Sequence, residues 1–336
     1  MLEKPDFPDR KIIACLEREF ELQIDQLNFL PVGGDLSTAV YQAVSEDNTA
    51  YFCKLKFGIF DETTVALPKF LYDQRIPQII PPLTTQTGQL WAELEQFKLI
   101  LYPFIEGVNG YEIELSESQW ADFGTALKRI HTTAVPPALD GNIRKESFAP
   151  EWRARCKEII QRLDEETLDE PVAIEWGRFL RPHRETILHM LRRAEQLANT
   201  MASRSVEFVL CHSDIHPGNL FIDAEGTLFI VVWDYPLLAP KERDLIFIGG
   251  GQGCKRYIAE QEEKLFYRGY VPSQIDPTAM AYYRYERGIT DIVVESERVL
   301  SKAVGVQNRA QALEYLKLGF LPDSTVEMAC KSDKLD

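Results

Sequence analysis

The most chemically suggestive stretch of the chain is "VLCHSDIHPGNLFID". It places His212 two residues before Asp214 and Asn219 five residues after it, between two apolar runs. A carboxylate and a side-chain amide at this spacing suit transfer of a phosphoryl group to an alcohol. Asp214 would lie beside the acceptor hydroxyl, orient it and take its proton. The amide oxygen of Asn219, one loop turn later, would hold a magnesium ion that bridges phosphates. The competing reading of Pro217-Gly218-Asn219 is an ordinary surface turn.

The H-x-D-x-x-x-x-N spacing is that of the catalytic loop in kinase-like phosphotransferases. Such a loop needs a strand lysine elsewhere to hold the α and β phosphates. "YFCKLKF" offers Lys54 and Lys56 on one strand face. Lys54 is preferred because "FCK" has the apolar-x-Lys form, and Lys56 stays the alternative; a solvated strand lysine is the plain reading of either. One strand earlier, "VGGDLST" sets Gly33, Gly34, Ser37 and Thr38 where backbone or hydroxyl donors could meet phosphate. Alone it would pass for a hairpin turn. "ILYPFIEG" reads as a hinge, with backbone groups of Tyr102, Phe104 and Ile105 facing an adenine ring. Asp122-Phe123-Gly124 spells a kinase magnesium motif but precedes Asp214 instead of following it. Trp120, Phe123, Leu127 and Ile130 recur at helical spacing there, so the stretch predicts a core helix.

The elements that must position these residues fall into two regions. Residues 11–21 predict a first helix, and "QLNFLPVGGDLSTAVYQAVSEDNTAYFCKLKF" predicts three strands joined by a glycine turn and a polar turn. Helical periodicity returns at 61–74, and 77–107 reads as further strands. After Gly110 the helical spacing dominates, over 117–131, 150–164, 173–203 and 257–330. Short strands interrupt it at 207–233, the last of them running from Leu228 to Trp233. The expectation is an α+β chain: a nucleotide-binding lobe over 1–103, a hinge over 104–110, and a catalytic and substrate-binding lobe over 111–336. Within that last lobe come a helical segment (113–203), the catalytic loops (207–250) and a helical end (257–330).

Composition narrows the function classes. The 336 residues carry 37 Lys and Arg against 52 Asp and Glu, a net charge of −15. That argues against nucleic acid, whose phosphates need a basic surface, and it suits a cationic small molecule or simple solubility. Six cysteines form no CxxC and no zinc spacing, so reduced, mostly buried thiols are expected. No run of 18 apolar residues predicts a membrane span, and the charged, proline-containing start lacks a signal peptide's apolar run. A cytoplasmic protein, monomeric, follows as the expectation.

On "CHSDIHPGNLF", "APKERDL" and "FGTALKRIH", the chain resembles the aminoglycoside phosphotransferase family, which shares the protein-kinase-like fold with choline kinases. The similarity runs from about residue 10 to 325. The resemblance implies a bilobal fold and an ATP- and Mg-dependent phosphotransferase acting on a hydroxyl of an aminocyclitol or aminoglycoside antibiotic, spectinomycin first. Choline, another amino alcohol or a sugar is the rival acceptor. It implies Asp214 as catalytic base, Asn219 as magnesium ligand and Lys54 on the ATP phosphates, with Glu62 as candidate partner of Lys54. Asp244 would brace the catalytic loop through hydrogen bonds, with His212 structural beside it. Asp291, Glu295 and Tyr283 would face the cationic substrate, although Asp291 and Glu295 also fit a solvated helix face at i,i+4 spacing.

The family pattern ends the next strand in apolar-apolar-Asp-Trp-acidic. Here "FIVVWDYP" aligned on Trp233 puts Val232 where the resemblance requires a metal-binding Asp. Asp234 is the alternative ligand, but a shift of two strand residues moves a carboxylate by ~6–7 Å. Two consequences compete: an enzyme impaired at this position, or a retired homologue that still binds nucleotide or drug. A valine suits a strand, so the fold is expected to survive.

Overall fold

A computed structural model of the chain describes residues 3–32, 35, 37–165, 168–249, 258–271 and 274–333. The chain forms two compact units, one of residues 1–113, 133–143 and 218–236, the other of 114–132, 144–217 and 237–336. The architecture is α+β, with a small β-sheet region at the N-terminal end and a larger helical part.

In the first unit, β1 (Ile24–Leu30), β2 (Thr38–Ser45), β3 (Ala50–Phe57), β4 (Ala92–Leu94) and β5 (Phe97–Pro103) form an antiparallel sheet in the order β1-β2-β3-β5-β4. Side chains alternate across a strand. Cys53 and Leu55 of β3 therefore enter the core while Lys54 and Lys56 take the opposite face. Helix α1 (Asp9–Phe20) carries Ile12, Cys15 and Leu16 at helical spacing and closes the core against Tyr41, Leu55, Leu99 and Leu101. Helix α2 (Thr63–Asp73) follows β3. A second sheet runs in the order β10 (Leu228–Ile230), β9 (Leu220–Asp223), β6 (Gly107–Asn109). A Cβ at Gly107 would meet the Ile222 carbonyl at 2.1 Å, so that pairing admits only glycine there.

Two expectations change. Residues 77–91 form no strand beyond one isolated bridge, Ile79 to Ile230. Pro77, Pro81 and Pro82 have no N–H to give a ladder. The apolar run from Leu228 also stops being a strand at Ile230, three residues before Trp233.

The second unit contains α3 (Glu117–Thr132), β7 (Arg144–Lys145), α5 (Glu151–Glu165), α6 (Pro171–Leu180), α7 (Arg184–Ala202), β8 (Val209–Cys211), β11 (Leu237–Ala239), α8 (Glu242–Leu245), α9 (Ala259–Tyr270), α10 (Pro277–Leu300), α11 (Val306–Leu318) and α12 (Thr325–Ser332). A short helix in the first unit, α4 (Pro137–Asp140), completes the set in chain order among the described residues. The continuous helix expected over 173–203 is two helices separated by a 3-10 turn at Arg181–His183, because Pro182 cannot supply the interior hydrogen bond. Helix α10 runs through the core, with Tyr283, Tyr285, Ile289, Ile292 and Val293 buried against Trp176, Met190 and Leu197. Asp276 caps its first turn by accepting from the N–H groups of Thr278 and Ala279, and Pro277 takes the first helical position.

The Asp122-Phe123-Gly124 stretch lies within α3, and Phe123 is fully buried against Phe266 of α9. The two helices meet backbone to backbone at glycines. A Cβ on Gly124 would lie 2.1 Å from the Phe266 carbonyl oxygen, and one on Gly269 would lie 1.8 Å from that of Ala121. Five cysteines are free thiols, four of them buried; Cys254 lies outside the described residues. Among the described residues no helix is long and apolar enough to cross a membrane.

This contact gives the first prediction. Gly124→Ala forces α3 and α9 apart and should destabilise the protein by ~1–3 kcal/mol, the usual cost of overpacking. Equilibrium urea unfolding measures it; an unchanged midpoint would mean that the helices yield freely there.

Candidate functional site

In the first unit, each lysine on the β3 face opposite the core meets a carboxylate. Lys54 Nζ lies 2.7 Å from Asp234 Oδ1, with only 15% and 16% of the two side chains exposed. Lys56 Nζ donates to Asp35 Oδ2 at 2.5 Å and to Ser37 Oγ at 2.6 Å. Asp35 also accepts from the Ser37 N–H and hydroxyl and from the Thr38 hydroxyl. Burial pushes the Asp35 carboxyl up, but hydrogen bonds from Lys56, Thr38 and Ser37 outweigh it and hold the group below the usual carboxylate range. Both lysines line a narrow cleft with Phe60, Asp61, Tyr102 and Asp234.

The other residues singled out in this unit are placed as follows. Gly33 and Gly34 lie outside the described residues. Tyr102 is still in β5, opposite Phe52; burial and the Asp234 charge raise its phenol. The Phe104 N–H is committed to the Ala50 carbonyl at 3.2 Å, and Ile105 is half-buried. Glu62 is exposed ahead of α2, and the ion pair of Lys54 is to Asp234 in its stead. Asn219 is buried at the end of a 3-10 turn, and its carbonyl accepts the Val231 N–H at 2.9 Å.

Val232 departs from the strand expected for it. It stands outside β10, is 44% exposed and has φ +65°. That left-handed backbone suits Gly, Asn or Asp and is an outlier for a β-branched residue. Asp234 therefore does not share a regular strand face with position 232. For a divalent cation, which wants hard oxygen ligands, this stretch offers the Asn219 amide and the Asp234 carboxylate already paired to Lys54. Position 232 offers no side-chain oxygen, so the set lacks the carboxylate that the resemblance requires there.

In the second unit, the loop after β8 is held by Asp244, which is completely buried. Its carboxylate accepts from the His212 N–H at 2.8 Å and the Ser213 N–H at 2.6 Å, and faces His131 Nε2 at 3.1 Å. His131 Nδ1 lies 2.7 Å from the Tyr270 hydroxyl. Ser213 has φ +74°. A non-glycine residue there stores ~1–3 kcal/mol of strain and needs outside bonds to keep it. His131, Cys211 and Asp244 present ligand-type atoms within 4.8 Å of one another. Those atoms are engaged in hydrogen bonds, and burial holds the Cys211 thiol protonated, so the cluster is a brace, not a metal centre.

Asp214 Oδ1 accepts from Arg287 Nη1, and its Oδ2 faces His216 Nε2 at 3.7 Å. Burial alone would raise the Asp214 carboxyl; the charges of Arg287, His216 and His212 reverse this and hold it well below the usual range. Arg287 Nε also donates to Asp291 at 2.9 Å, so Asp291 is turned toward arginine. Glu295 pairs with Arg298. Tyr283 has no exposed surface, its ring beneath the Arg243 guanidinium. It packs the interior because α10 is buried nearly all round, which removes it from the surface set. Asp35 and His131 fall within the "VGGDLST" and "FGTALKRIH" stretches without a role that spacing assigns them, and Arg287 falls outside both. Only Arg287 left a local signal, its i,i+4 spacing to Asp291.

Comparison with known proteins follows the same direction. Residues 28–240 match the phosphotransferase enzyme family, APH. Spectinomycin phosphotransferase, APH(9)-Ia, solved with ADP and spectinomycin, is 34% identical with a TM-score of 0.89, covering 98% of this chain and all of that one. The AMP-bound complex of the same enzyme is 33% identical with a TM-score of 0.85, covering 97% of this chain and 99% of that one. An amicoumacin kinase solved with AMP-PNP and Ca2+ shares the fold at 14% identity and a TM-score of 0.59, covering 97% of this chain and 94% of that one. No curated protein sequence matches the chain.

A pH test comes from Glu295. Burial pushes its carboxyl up to about 7 from 4.5, with Arg298 opposing. A raised folded-state pKa favours the protonated form, so its contribution to stability is complete below the unfolded pKa and is lost as pH rises through about 7. Glu295→Gln should therefore gain stability relative to the parent between pH 5 and pH 8. Urea titrations at the two pH values decide it; an equal difference at both would place Glu295 in solvent.

Proposed function

Because the chain belongs to the phosphotransferase enzyme family, we propose that it moves the γ-phosphoryl group of ATP to a hydroxyl of a cationic aminocyclitol, spectinomycin first. What supports the acceptor is the likeness to spectinomycin phosphotransferase over 98% of this chain. In this reading residues 1–103 bind the nucleotide, with Lys54 on the phosphates and Lys56 and the Asp35–Ser37–Thr38 group beside them. Residues 104–110 act as the hinge and 111–336 carry the chemistry. Asp214 orients the acceptor hydroxyl and takes its proton. A bound divalent cation would neutralise phosphate charge, with Asn219 and Asp234 as the ligands this chain can offer.

Val232 favours a second reading for the sequence as it stands: a nucleotide- or drug-binding protein with little turnover. A missing metal carboxylate costs several kcal/mol at the transition state, roughly a thousandfold in rate.

Three variants separate these. With ATP, magnesium and spectinomycin, Val232→Asp should raise kcat by roughly a thousandfold over the parent. Val232→Asn should relieve the left-handed strain, about 1 kcal/mol or more, and raise the unfolding midpoint without restoring turnover. Lys54→Met in the Val232→Asp background should raise KM for ATP. If neither the parent nor Val232→Asp phosphorylates spectinomycin, that acceptor is wrong, and a panel including choline and aminoglycosides identifies the alternative. Ligand-dependent thermal stabilisation without turnover in any variant would leave the binding protein.

A further inference from the structure

We propose that Arg287 is the positioning residue of the transfer base, fixing the carboxylate of Asp214 through Oδ1 while Asp291 fixes Arg287 from behind. The inference rests on the reading of Asp214 as the base. It is carried by the geometry of five side chains in one unit. Arg287 stands on α10 and reaches the loop after β8, where Nη1 donates to Asp214 Oδ1. Its Nε donates to Asp291, one helical turn further on. The guanidinium plane lies over the Phe247 ring at 5.1 Å, and His216 meets the same ring edge-on at 6.1 Å. Arg287 is thus held on three sides, and Asp214 has Arg287 at one oxygen and His216 at the other.

A guanidinium so placed does two things for a carboxylate that must meet a hydroxyl. It fixes the rotamer of the carboxylate, and a positioned group is worth more than a mobile one. It also keeps the carboxylate ionised: of the groups facing it, the Arg287 guanidinium carries the permanent charge, while burial pushes the His216 imidazole down to about 4 and leaves it neutral at neutral pH, with Asp291 behind the arginine and Arg243 beyond. The base is then weak but always ready: it accepts the hydroxyl proton as the new O–P bond forms and the bond from phosphorus to the ADP oxygen breaks. Asp291 belongs to this device; it holds the arginine before it can meet any ligand.

The test uses the full chain. In the Val232→Asp background, Arg287→Met should lower kcat by roughly tenfold or more, within the range of general-base contributions, while KM for ATP stays within about twofold. Arg287→Lys should recover part of the loss, and added guanidinium ion part of it in Arg287→Ala. Independently of turnover, carbon-13 NMR of labelled aspartate carboxyls, with Asp214 assigned by Asp214→Asn, should show its titration moving up toward the ordinary range in Arg287→Met. Asp291→Asn should move it the same way by less, and it serves if the methionine variant does not fold. An Asp214 titration unmoved by these changes overturns the proposal. Absent turnover in Val232→Asp with every acceptor overturns the functional reading instead, and the titration still decides the role of Arg287.

Discussion

Much of the second unit's chemistry depends on one buried carboxylate. Asp244 has no access to solvent, so its charge must be met inside the protein. It is met by the N–H groups of His212 and Ser213 and by the His131 ring. Burial raises its carboxyl, but the hydrogen bond and charge of His131, the charge of His212 and the Ser213 N–H together hold it below the ordinary range. These bonds keep Ser213 in a left-handed conformation it would not choose alone, and the direction of the next residue, Asp214, follows from that bend. Strain in the loop and charge in the core offset each other, and neither would persist without the other.

The loop then hands Asp214 to α10. That helix is mostly core, yet its solvent-side turn carries Arg287 and Asp291 at i,i+4 spacing, where two long side chains can meet. A rigid core helix is a better platform for a positioning arginine than a loop would be. In the other unit, the lysines of β3 owe their place to the alternation that buries Cys53 and Leu55. Each arrangement grows from a packing requirement first and acquires its polar residues afterwards.

This sets what could be read from the sequence. Periodic elements were legible because their signal is local: α3 from Trp120, Phe123, Leu127 and Ile130, and the hairpin of β9 and β10 around "DAEG". The H-x-D-x-x-x-x-N spacing marked out the loop for the same reason. Local signals also misled. The apolar run "LFIVVW" reads as one strand, but the chain turns at Val232 with φ +65°, and the Val231 N–H goes to the Asn219 carbonyl, a pairing that no local pattern announces. Pro182 was visible yet lost within a strong helical period. The partnerships of Lys54 with Asp234 and of Arg287 with Asp214 span 180 and 73 residues, and no spacing rule reaches that far.

The paired lysines of β3 carry one more consequence. Lys54 and Lys56 already hold Asp234 and Asp35, so the cleft is close to electrically balanced before any anion reaches it. A polyphosphate entering it exchanges one anion for another instead of filling a bare positive pocket. In a chain of net charge −15 there is little long-range pull to speed that encounter. If this cleft is where the nucleotide binds, capture would be governed by short-range ligand exchange, and added salt would speed it by screening the long-range repulsion between two anions.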